Sequence, residues 1–134
     1  MQTFLPYPDF YKSLSCLDNK RLGKQRVEAY QILLCLRKPN RWKNHPAVKM
    51  WKGYEGALIH YMNCAIDIWE NRGFKNTMKR LSAPPFVDYP IWYGKIEFHS
   101  SHRSNLLRKD NNHYSQYGWR EPDNLPYYWP TNNI

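Results

Sequence analysis

The sequence predicts an all-α fold, a compact three-helix single domain with long, irregular, aromatic-rich connections and C-terminal segment. Three observations predict it. Apolar residues recur at helical spacing in two long stretches and one shorter one. Proline, glycine and asparagine interrupt the chain between those stretches. The length of 134 residues fits one domain, 1–134, and is enough for a hydrophobic core without disulfides or metal.

The elements follow in chain order. Residues 1–10 carry Pro6 and Pro8, which favour an extended or turn-like path over a helix. The first helix is expected from about Asp18 to Leu36, with Asp18 as N-cap. Leu22, Ala29, Leu33 and Leu36 form its apolar stripe, while Arg21, Lys24, Gln25 and Glu28 share another face. Gly23 weakens that helix by about 1 kcal/mol relative to alanine, which points to the close approach of another backbone. Lys38-Pro39-Asn40 ends it. A long second helix is expected from about Pro46 to Arg72, capped by Asn44 or His45 and stopped by Gly73. Trp51, Tyr54, Glu55, Leu58, Met62, Ala65 and Trp69 repeat along it, and Gly53 and Gly56 leave room for a neighbouring helix. Ser82-Ala83-Pro84-Pro85 breaks the chain, and the segment to Gly94 reads as loop. A shorter helix is expected from about Ser101 to Lys109, capped by Ser100 or Ser101. The remainder, Asp110 to Ile134, should wrap over the helices.

Charge then bounds function. The chain carries 20 Lys and Arg against 11 Asp and Glu, a net charge of +9, and 16% of it is aromatic. Phosphates attract such charge and bases stack on such rings, so nucleic acid is the first partner class. The bland alternative is a soluble basic surface over an aromatic core. No apolar run approaches the roughly 20 residues of a membrane helix. The start has neither the basic nor the apolar region of a signal peptide. Cys16, Cys35 and Cys64 are odd in number and form no CxxC pair, so reduced thiols in the cytoplasm, at nucleoid or viral DNA, are expected. P-loop, GxGxxG, HExxH and GxSxG motifs are absent, which argues against nucleotide-driven, zinc-protease and α/β-hydrolase chemistry.

Four constellations could carry chemistry. Between Asn19 and Lys43 lie Lys20, Arg21, Lys24, Arg26, Arg37, Lys38, Arg41 and Lys43, with Glu28 as the sole acid. Glu28 is either a general acid/base or one half of an intrahelical salt bridge to Lys24 or Arg21. Asn40-Arg41-Trp42-Lys43-Asn44-His45-Pro46 sets basic residues around an aromatic just before a helix start, a phosphate site or a solvated loop with Trp42 in the core. His99 and His102 lack acidic or cysteine partners at ligand spacing, so a phosphate or base contact by His102 and Arg103 is favoured over metal. Trp119, Tyr127, Tyr128 and Trp129 either stack on bases or cover the helices.

Several of these segments resemble pyrimidine-dimer DNA glycosylases of the endonuclease V type. They are Met1-Gln2-Thr3-Phe4-Leu5-Pro6-Tyr7-Pro8-Asp9-Phe10, the run Leu17 to Ala29, Asn44-His45-Pro46-Ala47-Val48-Lys49-Met50-Trp51, His99 to Arg103 and Tyr127-Tyr128-Trp129-Pro130. The match looks specific to a little-characterised bacterial and viral subfamily. The resemblance implies a glycosylase and abasic-site lyase whose chain-terminal amine attacks C1′ of the damaged nucleotide, helped by a glutamate on the first helix. No cofactor or metal is implied. An α-amine ordinarily titrates at about 7.7–8.0, so a useful fraction is free near neutral pH. Gln2 is bulky, a poor context for removal of the initiator methionine, so the amine is that of Met1. Gly23 stands where the phage enzyme has its glutamate, three residues before Arg26-Val27, and Glu28 substitutes from the same helix face.

The sequence therefore assigns catalysis to Met1 and Glu28. It assigns DNA binding to Lys20, Arg21, Lys24, Gln25, Arg26, Arg41, Lys43, His45, His102, Arg103, Trp119, Tyr128 and Trp129. The expected partner is duplex DNA with a damaged or modified base, bound by a monomer. The rival readings are a non-catalytic nucleic-acid-binding protein of the same fold, and a structural or interaction protein whose charge is incidental.

Overall fold

A computed structural model describes residues 1–130. Its helices are α1 (Phe10–Ser15), α2 (Asn19–Arg37), α3 (Pro46–Lys49), α4 (Glu55–Asn71), α5 (Ile96–Lys109) and α6 (Asn111–Tyr114), followed by a 3-10 turn at Ser115–Tyr117. Among the described residues there is no strand, and no helix is long and apolar enough to cross a membrane. The three long helices, α2, α4 and α5, are those the periodicity predicts; residues 131–134 of the expected C-terminal wrap lie outside the described residues.

Local chemistry sets the boundaries. Asp18 caps α2 by accepting from the Arg21 N–H, and His45 caps α3 through Nδ1 from the Ala47 N–H at 3.0 Å. Alpha-1 is a short helix that the prolines hid: Asp9 accepts from the Lys12 N–H at 2.7 Å and starts it. The expected second helix is two helices. At Gly53 the backbone has φ +87°, a left-handed conformation that ends α3 and its trailing turns before α4 begins. The last long helix starts at Ile96, with Lys95 as N-cap just after Gly94 at φ +90°, rather than at Ser101. Ser101 is buried inside α5, where its hydroxyl donates to the Phe98 carbonyl.

Two glycines admit something other than the expected neighbours. A Cβ on Gly23 would meet the Trp69 ring at 3.1 Å, so α2 and α4 close over a side chain rather than backbone on backbone. A Cβ on Gly56 would lie 2.7 Å from Pro84 Cγ, so its neighbour is the proline loop and not a helix.

The core runs between α2 and α4, with Leu22, Ile32, Leu33, Leu58, Met62 and Ile66 fully or almost fully buried. Through it passes the N-terminal segment. Residues 2–6 are buried without helix or sheet, so their backbone groups need other partners. Side chains supply them. Gln25 Oε1 accepts from the Phe4 N–H at 2.9 Å and Gln25 Nε2 donates to the Gln2 carbonyl at 3.0 Å. His102 Nδ1 accepts from the Leu5 N–H at 2.9 Å, and His99 Nδ1 lies 2.7 Å from the Leu5 carbonyl. The Arg103 guanidinium donates to the Pro6 carbonyl at 2.6 Å, and Trp51 Nε1 donates to the Thr3 hydroxyl at 3.0 Å. Helices α2 and α5 thus grip the segment from two sides, and its first residue emerges at the surface between them.

The C-terminal aromatics cover the other end. Tyr114 is fully buried, its hydroxyl bonded to Asp18, and Trp119 stacks on it at 5.7 Å.

Candidate active site

Met1, at the end of the gripped segment, lines a cleft of about 290 Å³ together with Glu28. Lys20, Arg21, Lys24 and Lys109 also line it, as do Tyr127 and Trp129. On α2 the residues Lys20, Lys24 and Glu28 follow at i, i+4 and i+8, one ridge along the helix. Four cations thus surround one carboxylate and one amine, an arrangement with the charge to attract an anion and a carboxylate beside the amine.

Glu28 forms no ion pair among the described residues; Arg21 pairs instead with Asp18 at 3.2 Å. The intrahelical salt bridge is therefore not what holds Glu28. Its carboxylate accepts from Gln25 Nε2 at 3.1 Å. Gln25 is only 1% exposed, and its two acceptor and two donor positions are all taken. The fourth partner is the Tyr61 hydroxyl, 2.6 Å from Oε1. Gln25 was expected on the DNA-binding face. It is instead a buried hub that fixes the N-terminal segment and Glu28 relative to one another.

His45 stands beside the cleft, its ring 6.1 Å from that of Trp129 and 6.0 Å from that of Trp42. Burial lowers its pKa, and the charge of the Met1 amine lowers it further. Nδ1 already accepts from Ala47, so the neutral ring carries its proton on Nε2. As the N-cap of α3 it has Nδ1 engaged, which leaves only Nε2 for a phosphate.

Other expected contacts lie elsewhere. His102 is 1% exposed and burial drives its pKa down to about 3, so it is a neutral acceptor for the Leu5 N–H and not a DNA ligand. Arg103 is committed to Pro6, Ser100 and Glu121, the last at 2.7 Å, in a part-buried ion pair. Arg26 donates to Asn76 at 2.5 Å and lies over the Trp69 ring, which ties it to the loop after α4. Trp119 donates from Nε1 to the Tyr7 hydroxyl at 2.7 Å and packs on Tyr114 and Tyr117, so it covers the core. The Tyr128 N–H is anchored on Ser101. Lys43 lines a separate hollow with Lys52 and Val48. The structure thus unites Met1, Lys20, Arg21, Lys24, Gln25, Glu28 and Trp129. Arg41 lies in an adjoining cleft that shares Met1 and Glu28.

Sequence reasoning missed Lys109 as a cleft residue, and Tyr127, named in the terminal aromatic cluster but not among the DNA-binding residues, also lines the cleft. Lys109 ends α5, and only the packing of α5 against the N-terminal segment brings it to the cleft. Among the described residues no group of three or more His, Cys, Asp or Glu is placed to hold a metal ion.

A family model described as pyrimidine dimer DNA glycosylase matches residues 1–82. That span includes the amine, Glu28, Lys20, Arg21, Lys24 and Arg41. No curated protein and no solved structure matches the chain.

Proposed function

The chain belongs to the pyrimidine dimer DNA glycosylase family, and from that premise we propose that it excises a damaged base from duplex DNA and cuts the strand at the abasic site. The observation that carries this reading is the shared cleft, in which the chain's own amine and a glutamate without an ion pair among the described residues are ringed by four cations.

In this reading Lys20, Arg21, Lys24 and Lys109 bind phosphates, and counterion release supplies much of the affinity. Unstacking the nucleotide costs a few kcal/mol, least at a damaged site. The lone pair of the Met1 nitrogen attacks C1′. The bond from C1′ to the base nitrogen breaks, and the base leaves with that bond's electrons and takes a proton from water. Glu28 takes the proton that the attacking amine loses. The nitrogen lone pair then opens the sugar ring, O4′ takes a proton, and a protonated imine links Met1 to C1′. Loss of a C2′ proton pushes out the 3′ phosphate as leaving group, which cuts the strand. Water hydrolyses the imine and restores the amine.

The test is incubation with abasic-site duplex DNA and borohydride, which reduces the imine to a stable adduct. A covalent complex is the expected result. DNA binding without an adduct would overturn the lyase chemistry and leave a nucleic-acid-binding protein.

A further inference from the structure

The cleft around the amine is graded in depth. Lys20, Lys24 and Lys109 are exposed at its rim, and Met1, Arg21 and Glu28 are half-buried below them. Gln2, Phe4 and Gln25 are buried and form its floor. Phe4 contributes an apolar ring, and every polar position of the Gln25 carboxamide is taken within the protein. Gln2 differs. Its side chain is held, with Oε1 accepting from the Thr3 N–H at 2.9 Å, and the residue is 7% exposed. Its Nε2 is buried without a hydrogen-bond partner, and the Tyr127 hydroxyl close by does not satisfy it. Of the buried side-chain nitrogens and oxygens left unpaired among the described residues, only this one belongs to a residue lining the cleft. A buried donor without an acceptor is costly, so an acceptor that enters the cleft gains by meeting it.

The place of this donor identifies the acceptor. Gln2 follows Met1 in the chain, and its carbonyl is fixed by Gln25 Nε2 at 3.0 Å, so carboxamide and amine share one frame. When the Met1 nitrogen bonds to C1′, the sugar oxygen attached to that carbon is O4′. As the ring opens, the electrons of the C1′–O4′ bond pass to O4′, and negative charge develops there until a proton arrives. Phosphates lie farther from C1′ and meet the lysines of the rim. We propose that Gln2 is a further catalytic residue, whose Nε2–H donates to O4′ and stabilises the charge that develops as the C1′–O4′ bond breaks. The amide keeps its own proton, and the one that O4′ takes comes from water. A neutral, pre-oriented donor suits this place, because its hydrogen bond strengthens as the oxygen gains charge. The assignment rests on the glycosylase reading and adds the group that assists the opening of the sugar.

The experiment uses two variants. Gln2→Glu keeps the acceptor for Thr3 and removes the donor, and Gln2→Met removes the donor without adding charge. Both side chains are bulky enough to keep Met1 in place. Each variant is compared with the wild type in single-turnover borohydride trapping on two duplexes. One carries an abasic site, whose sugar is mostly a closed ring and must open before the imine forms. The other carries an acyclic aliphatic aldehyde at the same position, which has no ring oxygen and forms the imine directly. The ratio of the two rates cancels any shift of the amine. That ratio should fall by about 100-fold in both variants, the order of effect of one donor to a developing oxyanion. A ratio within about threefold of the wild-type value in either variant would overturn the assignment, because a residue that only places the amine slows both substrates alike. A wild type that fails to trap the abasic duplex would instead overturn the glycosylase reading beneath it.

Discussion

Replacing Gln25 with leucine should detach the amine from its cleft. The side chain is 1% exposed and all four of its hydrogen bonds are made inside the protein. Leucine keeps the volume and the helix propensity of α2 but leaves the Phe4 N–H and the Gln2 carbonyl without partners. Tyr61 retains an acceptor, because its hydroxyl also lies 2.8 Å from the Phe4 carbonyl. Each orphaned buried group costs about 1–3 kcal/mol, and the added apolar contact offsets about 1 kcal/mol. The expected destabilisation is therefore about 1–5 kcal/mol, against the stability of about 5–15 kcal/mol typical of such a domain. Urea denaturation followed by tryptophan fluorescence would measure it, and amide exchange at Phe4 would report the freed segment. Borohydride trapping, measured where the variant is still folded, should fall by about 100-fold, because a misplacement near 1 Å costs that much. A loss below about 0.5 kcal/mol with trapping unchanged would refute the idea that Gln25 holds the terminus.

Acid should weaken the same grip from the α5 side. The folded pKa of His102 is about 3 and that of His99 is also lowered, both chiefly by burial, against about 6.5 for an unfolded histidine. Their contribution is complete above pH 6.5 and is lost as pH falls toward 3, by up to about 1.4 kcal/mol per pH unit for each proton taken up only on unfolding. The urea midpoint should drop between pH 7 and pH 5, and His102→Gln should flatten that slope; an unchanged wild-type midpoint would count against the clamp. Lys24→Ala should lower the slope of log affinity against log salt by about 0.9 on duplex DNA, whereas Arg103→Met should leave that slope alone and lower the thermal midpoint. Gly23→Val should destabilise by about 2 kcal/mol, because even a Cβ meets Trp69 at 3.1 Å and that ring is backed by Phe74; an unchanged midpoint would show that Trp69 can move aside.

The parts of this arrangement legible in the sequence are those that local chemistry specifies. Asp18 and His45 cap helices where their side chains can reach a free N–H, and the α2 ridge of Lys20, Lys24 and Glu28 follows from helical spacing alone. The break at Gly53 was not legible, because Trp51 and Tyr54 keep the helical period across it and only the left-handed glycine interrupts the backbone. His102 and Arg103 read as a basic motif. Their actual partners, Leu5 and Pro6, lie 97 residues away, a distance no local pattern reports. Gln25 misled for a related reason. A polar residue on a polar face looks solvated, and only a buried strand-like segment with no sheet to join explains four interior hydrogen bonds. Lys109 reaches the cleft by tertiary packing and carries no local signal.

The central claim is that the grip on residues 2–6 delivers the Met1 nitrogen to the reacting carbon. Lys20, Lys24 and Lys109 line the same cleft and also carry amines, so locating the bond decides between them. The measurement is peptide mapping by mass spectrometry of the borohydride-reduced adduct with abasic DNA. The expected result is the sugar remnant on the α-nitrogen of the N-terminal peptide. A remnant on the Nζ of any of the three lysines would contradict it.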